Sequence, residues 1–155
     1  GVTEANIDNI FEQKVIKKPS HNETQIKKSL ICYDTPYGSD AYEITKKMSS
    51  KLYLEGASLK IVGPISLDVL KTALGKENRP NDYNVATWHS EVRAWDLAAA
   101  TCILRELGGD IIGKDGNPLT ISTLTSPTEK IMFIACGNEE LRNKLYNKYK
   151  EAVDI

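Results

Sequence analysis

The sequence is poor in cysteine and has no surplus of either charge, and each shortage removes a class of function. Its 155 residues hold three cysteines, Cys32, Cys102 and Cys136, far apart and with no CxxC pair. A disulfide framework or zinc knuckle is therefore not expected, and the thiols read as buried and free in a reducing compartment. Twenty Lys and Arg against 21 Asp and Glu leave a net charge of −1. The two signs are interspersed, so the chain lacks the basic stripe of a nucleic-acid or anionic-membrane surface. No apolar run approaches the roughly 20 residues that span a bilayer, and the N-terminus lacks the charged-then-apolar order of a secretory signal. A cytoplasmic protein with neither membrane nor nucleic acid as partner is expected. There is no internal repeat and no low-complexity stretch. The length suits one domain with a real core.

What is present is an alternation of short apolar runs with helical periodicities. Residues 1–28 form an irregular or hairpin-like leading segment, polar and lysine-rich around Val15-Ile16 and Pro19. From residue 29 to 155 the pattern is α/β. Ser29–Tyr33 reads as a buried strand; a helix follows, capped by Ser39 or Asp40, with Glu43 completing a capping box and Ala41, Ile44, Met48 and Leu52 facing inward. Leu59–Val62 is the next strand, and Gly63-Pro64 opens a helix with Leu67, Leu70 and Leu74 inward and Gly75 as its stop. Residues 76–82 read as a solvated loop and Tyr83–His89 as a strand. Asp110–Ile112 and Pro118–Ile121 flank the turn Lys114–Asn117 as a predicted hairpin. Glu129–Ala135 is apolar enough for a central strand, and Asn138 caps a last helix with Leu141, Leu145 and Tyr149 stacked at i, i+4 and i+8. The sum is a layered α/β sandwich, a mixed sheet of about five strands flanked by helices.

The most informative stretch runs from Glu91 to Gly109. Leu97, Ala100, Leu104 and Leu107 recur at helical spacing, Ala98–Ala100 let a neighbouring backbone approach, and Gly108-Gly109 ends the helix. Asp96 stands at the helix start. The frame Trp95-Asp96-x-Ala98-Ala99 followed by Glu106-x-Gly108-Gly109 resembles the C-terminal signature of the inositol monophosphatase-like phosphatases, a superfamily that includes fructose-1,6-bisphosphatase. The run Lys60–Gly75 is similar to the family's Arg-x-x-Gly-Ser/Thr-Ala-Ala element, in the same order along the chain. The family's upstream Glu and its Asp-Pro-Ile/Leu-Asp-Gly-Thr/Ser metal loop are missing; Asp8 and Asp34-Thr-Pro36 only approximate them. The resemblance therefore implies the C-terminal half of such an enzyme.

It also implies a chemistry. Hydrolysis of a phosphate monoester requires neutralisation of the transferring phosphoryl charge and a water made nucleophilic, and Mg²⁺ does both. By resemblance Asp96 is a metal ligand and the catalytic residue that this half supplies, the Mg²⁺ being shared with the missing N-terminal half. Gly63, Ser66, Lys60, His89 and Arg93 are the implied substrate-binding residues. Two positions depart from the family pattern: Pro64 replaces a Ser or Thr, and His89 replaces a pocket Glu. Each candidate also has an ordinary structural reading. Asp96 could be a helix N-cap, Lys60 a solvated strand residue, His89 a structural histidine, and Arg93 the partner of Glu91. His21 earns no role.

The implied partners are a small phosphorylated substrate, the N-terminal half of the same enzyme, and a second copy, since related enzymes are often homodimers. The alternative is a non-catalytic binding or regulatory module that keeps the fold. A nucleotide-binding α/β domain fits least, because Gly108–Gly113 follows a helix and forms no GxGxxG loop.

Overall fold

The computed structural model describes residues 16–34, 40–61 and 64–154. Eleven elements alternate along them. They are β1 (Leu30–Tyr33), α1 (Asp40–Leu54), β2 (Ser58–Ile61), α2 (Ile65–Asn78), β3 (Ala86–Arg93), a 3₁₀ turn (Ala94–Leu97), α3 (Ala98–Glu106), β4 (Asp110–Ile112), α4 (Ile121–Leu124), β5 (Lys130–Cys136) and α5 (Glu139–Ala152). One five-stranded sheet has the order β2-β1-β3-β5-β4. β1 pairs in parallel with β2 and β3, while β5 runs antiparallel to both β3 and β4. This is the mixed α/β sandwich that the alternating pattern predicts.

Because side chains alternate along a strand, each strand feeds two cores. On one face Trp88, Ile134 and Cys136 pack with Met48 and Leu52 of α1 and Leu141, Leu145 and Tyr149 of α5. On the other, Phe133, Ala135 and Ile111 pack with Val69 and Ala73 of α2 and Leu97, Ala100 and Leu104 around α3. Local chemistry closes the helices where expected. The Asn138 side chain accepts the Leu141 N–H at 3.0 Å. Gly108 has φ +92°, and a Cβ on Gly109 would collide with the buried Leu104 side chain and meet the Gly137 backbone at 3.0 Å, so both glycines are required there.

Several expectations are corrected. The buried residues of α2 are Asp68, Val69, Lys71, Thr72, Ala73 and Gly75, while Leu67 is exposed and Leu70 and Leu74 are half-buried. The reason is a polar seam beneath the helix. The Asp68 carbonyl accepts from Thr72 Oγ1, Asn84 Nδ2 and Thr87 Oγ1, each at 3.1 Å. Gly75 (φ 62°, ψ −177°) breaks the helix as predicted, but a further turn reaches Asn78 and shortens the expected loop. β3 starts later than Tyr83 and continues past His89 through a register shift between His89 and Val92. The predicted hairpin shrinks to one bridge, Ile112 to Pro118, and Ile121 begins α4 under a Thr120 cap. Cys102 is exposed, on the outer side of α3, while Cys32 and Cys136 are buried.

The leading segment contains no strand among residues 16–28. It is tied to α2 through Lys17 and Asn78 (2.8 and 2.7 Å) and through Ser20 and Glu77, and it enters the core at Ile26. Residues 1–15, among them Asp8 and Val15, lie outside the described residues, as do Thr35, Pro36 and Ser39.

Candidate active site

In open α/β sheets, ligands bind beyond the carboxyl ends of the parallel strands. Three such ends meet here. β1 leads into Asp34, β2 ends at Ile61 shortly before α2, and β3 passes His89 before its bulge. Strand register places Tyr33 beside both Ile61 and Trp88, so Asp34 follows at the same end of the sheet.

His89 is 2% exposed and stacks on Phe133, ring centroids 5.3 Å apart and planes at 10°. Its Nε2 has no hydrogen-bond partner among the described residues. Burial pushes the imidazole down to about 4, against the opposing pull of the Asp34 carboxylate, so the ring is neutral near pH 7. A neutral imidazole facing an alcohol or phosphate can donate or accept one hydrogen bond and contributes no charge.

Asp96 lies on the exposed side of the 3₁₀ turn, next to Trp95, which is 58% exposed. The N-cap position of α3 falls on Leu97, and neither the turn nor the helix is capped by a side chain. The N-cap explanation of Asp96 is thereby removed. The turn itself is fixed by the Ala94 N–H donating to the Glu129 carbonyl at 3.0 Å and by Leu97, which is fully buried.

The other candidates are spread around this end. Pro64 precedes α2 in an extended conformation (φ −64°, ψ 119°) with no side-chain cap, and Ser66 is exposed in the first turn. Gly63 lies outside the described residues. Arg93 Nη1 donates to the Thr128 carbonyl at 3.4 Å, while Glu91 pairs with Lys130 at 2.8 Å, so the suggested Glu91–Arg93 pair is replaced by two other contacts. Lys60 turns to Asp82, with Nζ 3.1 Å from Oδ1.

That contact exposes a group that sequence reading missed. Lys71 Nζ lies 3.0 Å from the same Asp82 oxygen, and Arg79 Nη2 lies 2.6 Å from the other. These three cations hold the Asp82 carboxyl well below the usual carboxylate range. Asp68 is 1% exposed with Oδ2 unpartnered, and burial pushes its carboxyl up although Cys32, Lys71 and Lys60 oppose that. The i, i+3 pair Asp68 and Lys71 was a visible signal, masked by the leucines assigned to the inner face.

A magnesium ion prefers several oxygen ligands. Among the described residues no group of three or more His, Cys, Asp or Glu side chains is placed to hold a metal. Asp96 supplies one carboxylate, and these residues do not by themselves make a magnesium site.

The comparisons with known proteins bear on the same point. No family model matches the chain. Human inositol monophosphatase 2 is 30% identical over 122 residues, covering 73% of this chain and 39% of its own. The extragenic suppressor protein SuhB of Bartonella henselae superposes with a TM-score of 0.65 at 21% identity, over 84% of this chain and 44% of its own. The Thermotoga maritima IMPase gives 0.70 at 15% identity, over 92% of this chain and 48% of its own. The chain thus spans less than half the length of the proteins it matches. In sequence the chain is similar to human inositol monophosphatase 2, and in fold to the SuhB and IMPase structures, over a span consistent with their C-terminal half.

Proposed function

We propose that this chain is the C-terminal half of a Mg²⁺-dependent phosphatase acting on a sugar or inositol phosphate monoester, in which Asp96 is one metal ligand. The observation that carries this reading is the position of Asp96. It sits exposed on a turn at the head of an alanine-rich helix, where it caps nothing, so the fold itself does not need a carboxylate there. The remaining metal ligands would come from a half outside this chain. Bound Mg²⁺ neutralises phosphoryl charge and lowers the pKa of a coordinated water.

This chain's own residues would line the substrate side. Ser66 stands in the first turn of α2, where free amides favour an anion. Gly63 precedes that helix in sequence. His89 offers a neutral hydrogen bond to a substrate hydroxyl, and Arg93 a guanidinium to a phosphate oxygen if it leaves the Thr128 carbonyl. Lys60, engaged with Asp82, has the weakest claim to that pocket. Exposed Ile61, Leu67 and Trp95 support a neighbouring half-domain, because apolar groups near one end of a fold favour burial against a partner. We further propose a cytoplasmic enzyme, which forms a homodimer; among the described residues no helix is long and apolar enough to cross a membrane.

One observation favours a second reading, a non-catalytic module. Pro64 offers neither the hydroxyl nor the N–H of the family's Ser or Thr. Phosphate release from inositol 1-phosphate and fructose 1,6-bisphosphate by the whole native polypeptide separates the two. The phosphatase reading expects Mg²⁺-dependent release that falls by at least about 10²-fold in Asp96→Asn, with the fold intact by circular dichroism. Undiminished release in that variant overturns the role of Asp96, and no release from any phosphate ester at any Mg²⁺ concentration favours the module.

A further inference from the structure

The network around Asp82 holds more positive charge than the carboxylates within it balance, and some of that charge is removed from water. Lys71 is only 8% exposed, while Lys60, Arg79 and Asp82 are each about one-third exposed, so the group is open on one side. Three cations share one ionised carboxylate. Asp68 is a second acid within electrostatic reach of the lysines, and its burial favours its neutral form. Neutral Asp68 leaves a surplus of two charges, and ionised Asp68 still leaves one. An uncompensated buried cation is costly, and a second negative charge placed among these groups offsets that cost.

The geometry is that of an anion cradle drawn from one strand and one helix. Lys60 projects from edge strand β2, Lys71 from the middle of α2, and Arg79 from the end of α2. Both lysines approach Asp82 Oδ1 (3.1 and 3.0 Å), and Arg79 takes Oδ2 at 2.6 Å while its Nε donates to the Asp82 carbonyl at 2.8 Å. The planar guanidinium and two mobile ammonium groups suit a tetrahedral oxyanion, which carries more charge and more acceptor oxygens than one carboxylate. The loop after Arg79 delivers Asp82 into the position that such an anion would occupy.

We propose that Lys60, Lys71 and Arg79 form a phosphate-binding site separate from Asp96, in which the Asp82 side chain is a resident, displaceable anion. The site takes a phosphoryl group, and its binding does not depend on the phosphatase reading. Inorganic phosphate titrated into this chain and followed by residue-resolved NMR, against sodium chloride of equal ionic strength, tests it. The wild type shows saturable shifts at Lys60, Lys71 and Arg79 that chloride does not reproduce. Asp82→Asn removes the competing carboxylate and tightens phosphate by about tenfold or more. Lys71→Met loses the shifts, and Arg79→Gln, at a more exposed position, tests the same loss if Lys71→Met does not fold. Equal affinities in the wild type and Asp82→Asn, equal shifts with phosphate and chloride, or phosphate shifts confined to the Asp96 end would each overturn the site. The last result leaves the phosphatase reading standing, so the two proposals fail separately.

Discussion

The two faces of the sheet are built from the same strands and differ in what they bury. The face covered by α1 and α5 is a nearly apolar core around Trp88, Met48, Leu52, Ile134 and Leu145. The face covered by α2 and α3 adds His89, Asp68, Lys71, Thr72, Thr87 and Thr101 to its apolar cluster, all of them buried. Burial of polar groups returns little stability even when they are hydrogen-bonded and costs free energy when they are not. One face therefore secures the fold, and the other carries side chains whose presence stability does not explain. On that second face Asp68 Oδ2, His89 Nε2 and Thr101 Oγ1 have no hydrogen-bond partner among the described residues, and on the first Trp88 Nε1 has none.

The largest effect should come from breaking the apolar face. Trp88 is fully buried and stacks on Tyr33 at 6.1 Å, so Trp88→Ala should cost about 3–5 kcal/mol in urea unfolding. A loss under about 1 kcal/mol would mean that this face is not the stabilising one.

Acid should then act through the polar face. The folded-state value of His89, about 4, lies below the ordinary 6.5. The unfolded chain binds the proton more readily between those values, so stability is fully present above pH 6.5 and falls as the pH drops towards 4. The full difference is worth roughly 3 kcal/mol. His89→Leu should flatten this part of the pH–stability curve, and an unchanged curve would assign the acid sensitivity to other groups.

The smallest effect sharpens the polar seam. Thr87 Oγ1 lies 2.8 Å from Thr72 Oγ1 and 3.1 Å from the Asp68 carbonyl. Thr87→Val should cost about 1 kcal/mol, because Thr72 and Asn84 still serve that carbonyl. A cost near that of Trp88→Ala would erase the distinction between the faces.

Much of the framework was legible because its signals are local. The apolar run of β5, the Met48 and Leu52 face of α1, the Asn138 cap and the Gly108-Gly109 stop each depend on residues within a turn or two of one another. The inner face of α2 differs from its leucine pattern for the converse reason. Leucine at i, i+3 and i+7 gives one plausible inner face, but Thr87 and Asn84, which come to lie under the helix, select a polar one. The local pattern places β3 too early because its continuation past a bulge is stabilised by pairing with β5, some forty residues downstream. At the candidate site, Asp96 was visible through its Trp-Asp-x-Ala-Ala frame. The Asp82 network was not, because its members are scattered over strand, helix and loop with no shared spacing.

By itself the sequence determined the α/β order, the helix caps and stops, the apolar positions of the central strand and the family resemblance, since each follows from backbone chemistry or side-chain period over a few residues. The tertiary structure alone decided which face of α2 is inside, that His89 is buried and neutral, that Asp96 caps nothing, and that Lys60, Lys71 and Arg79 meet on Asp82. Burial and charge pairing act between residues that only the folded topology brings together, and no local period encodes them.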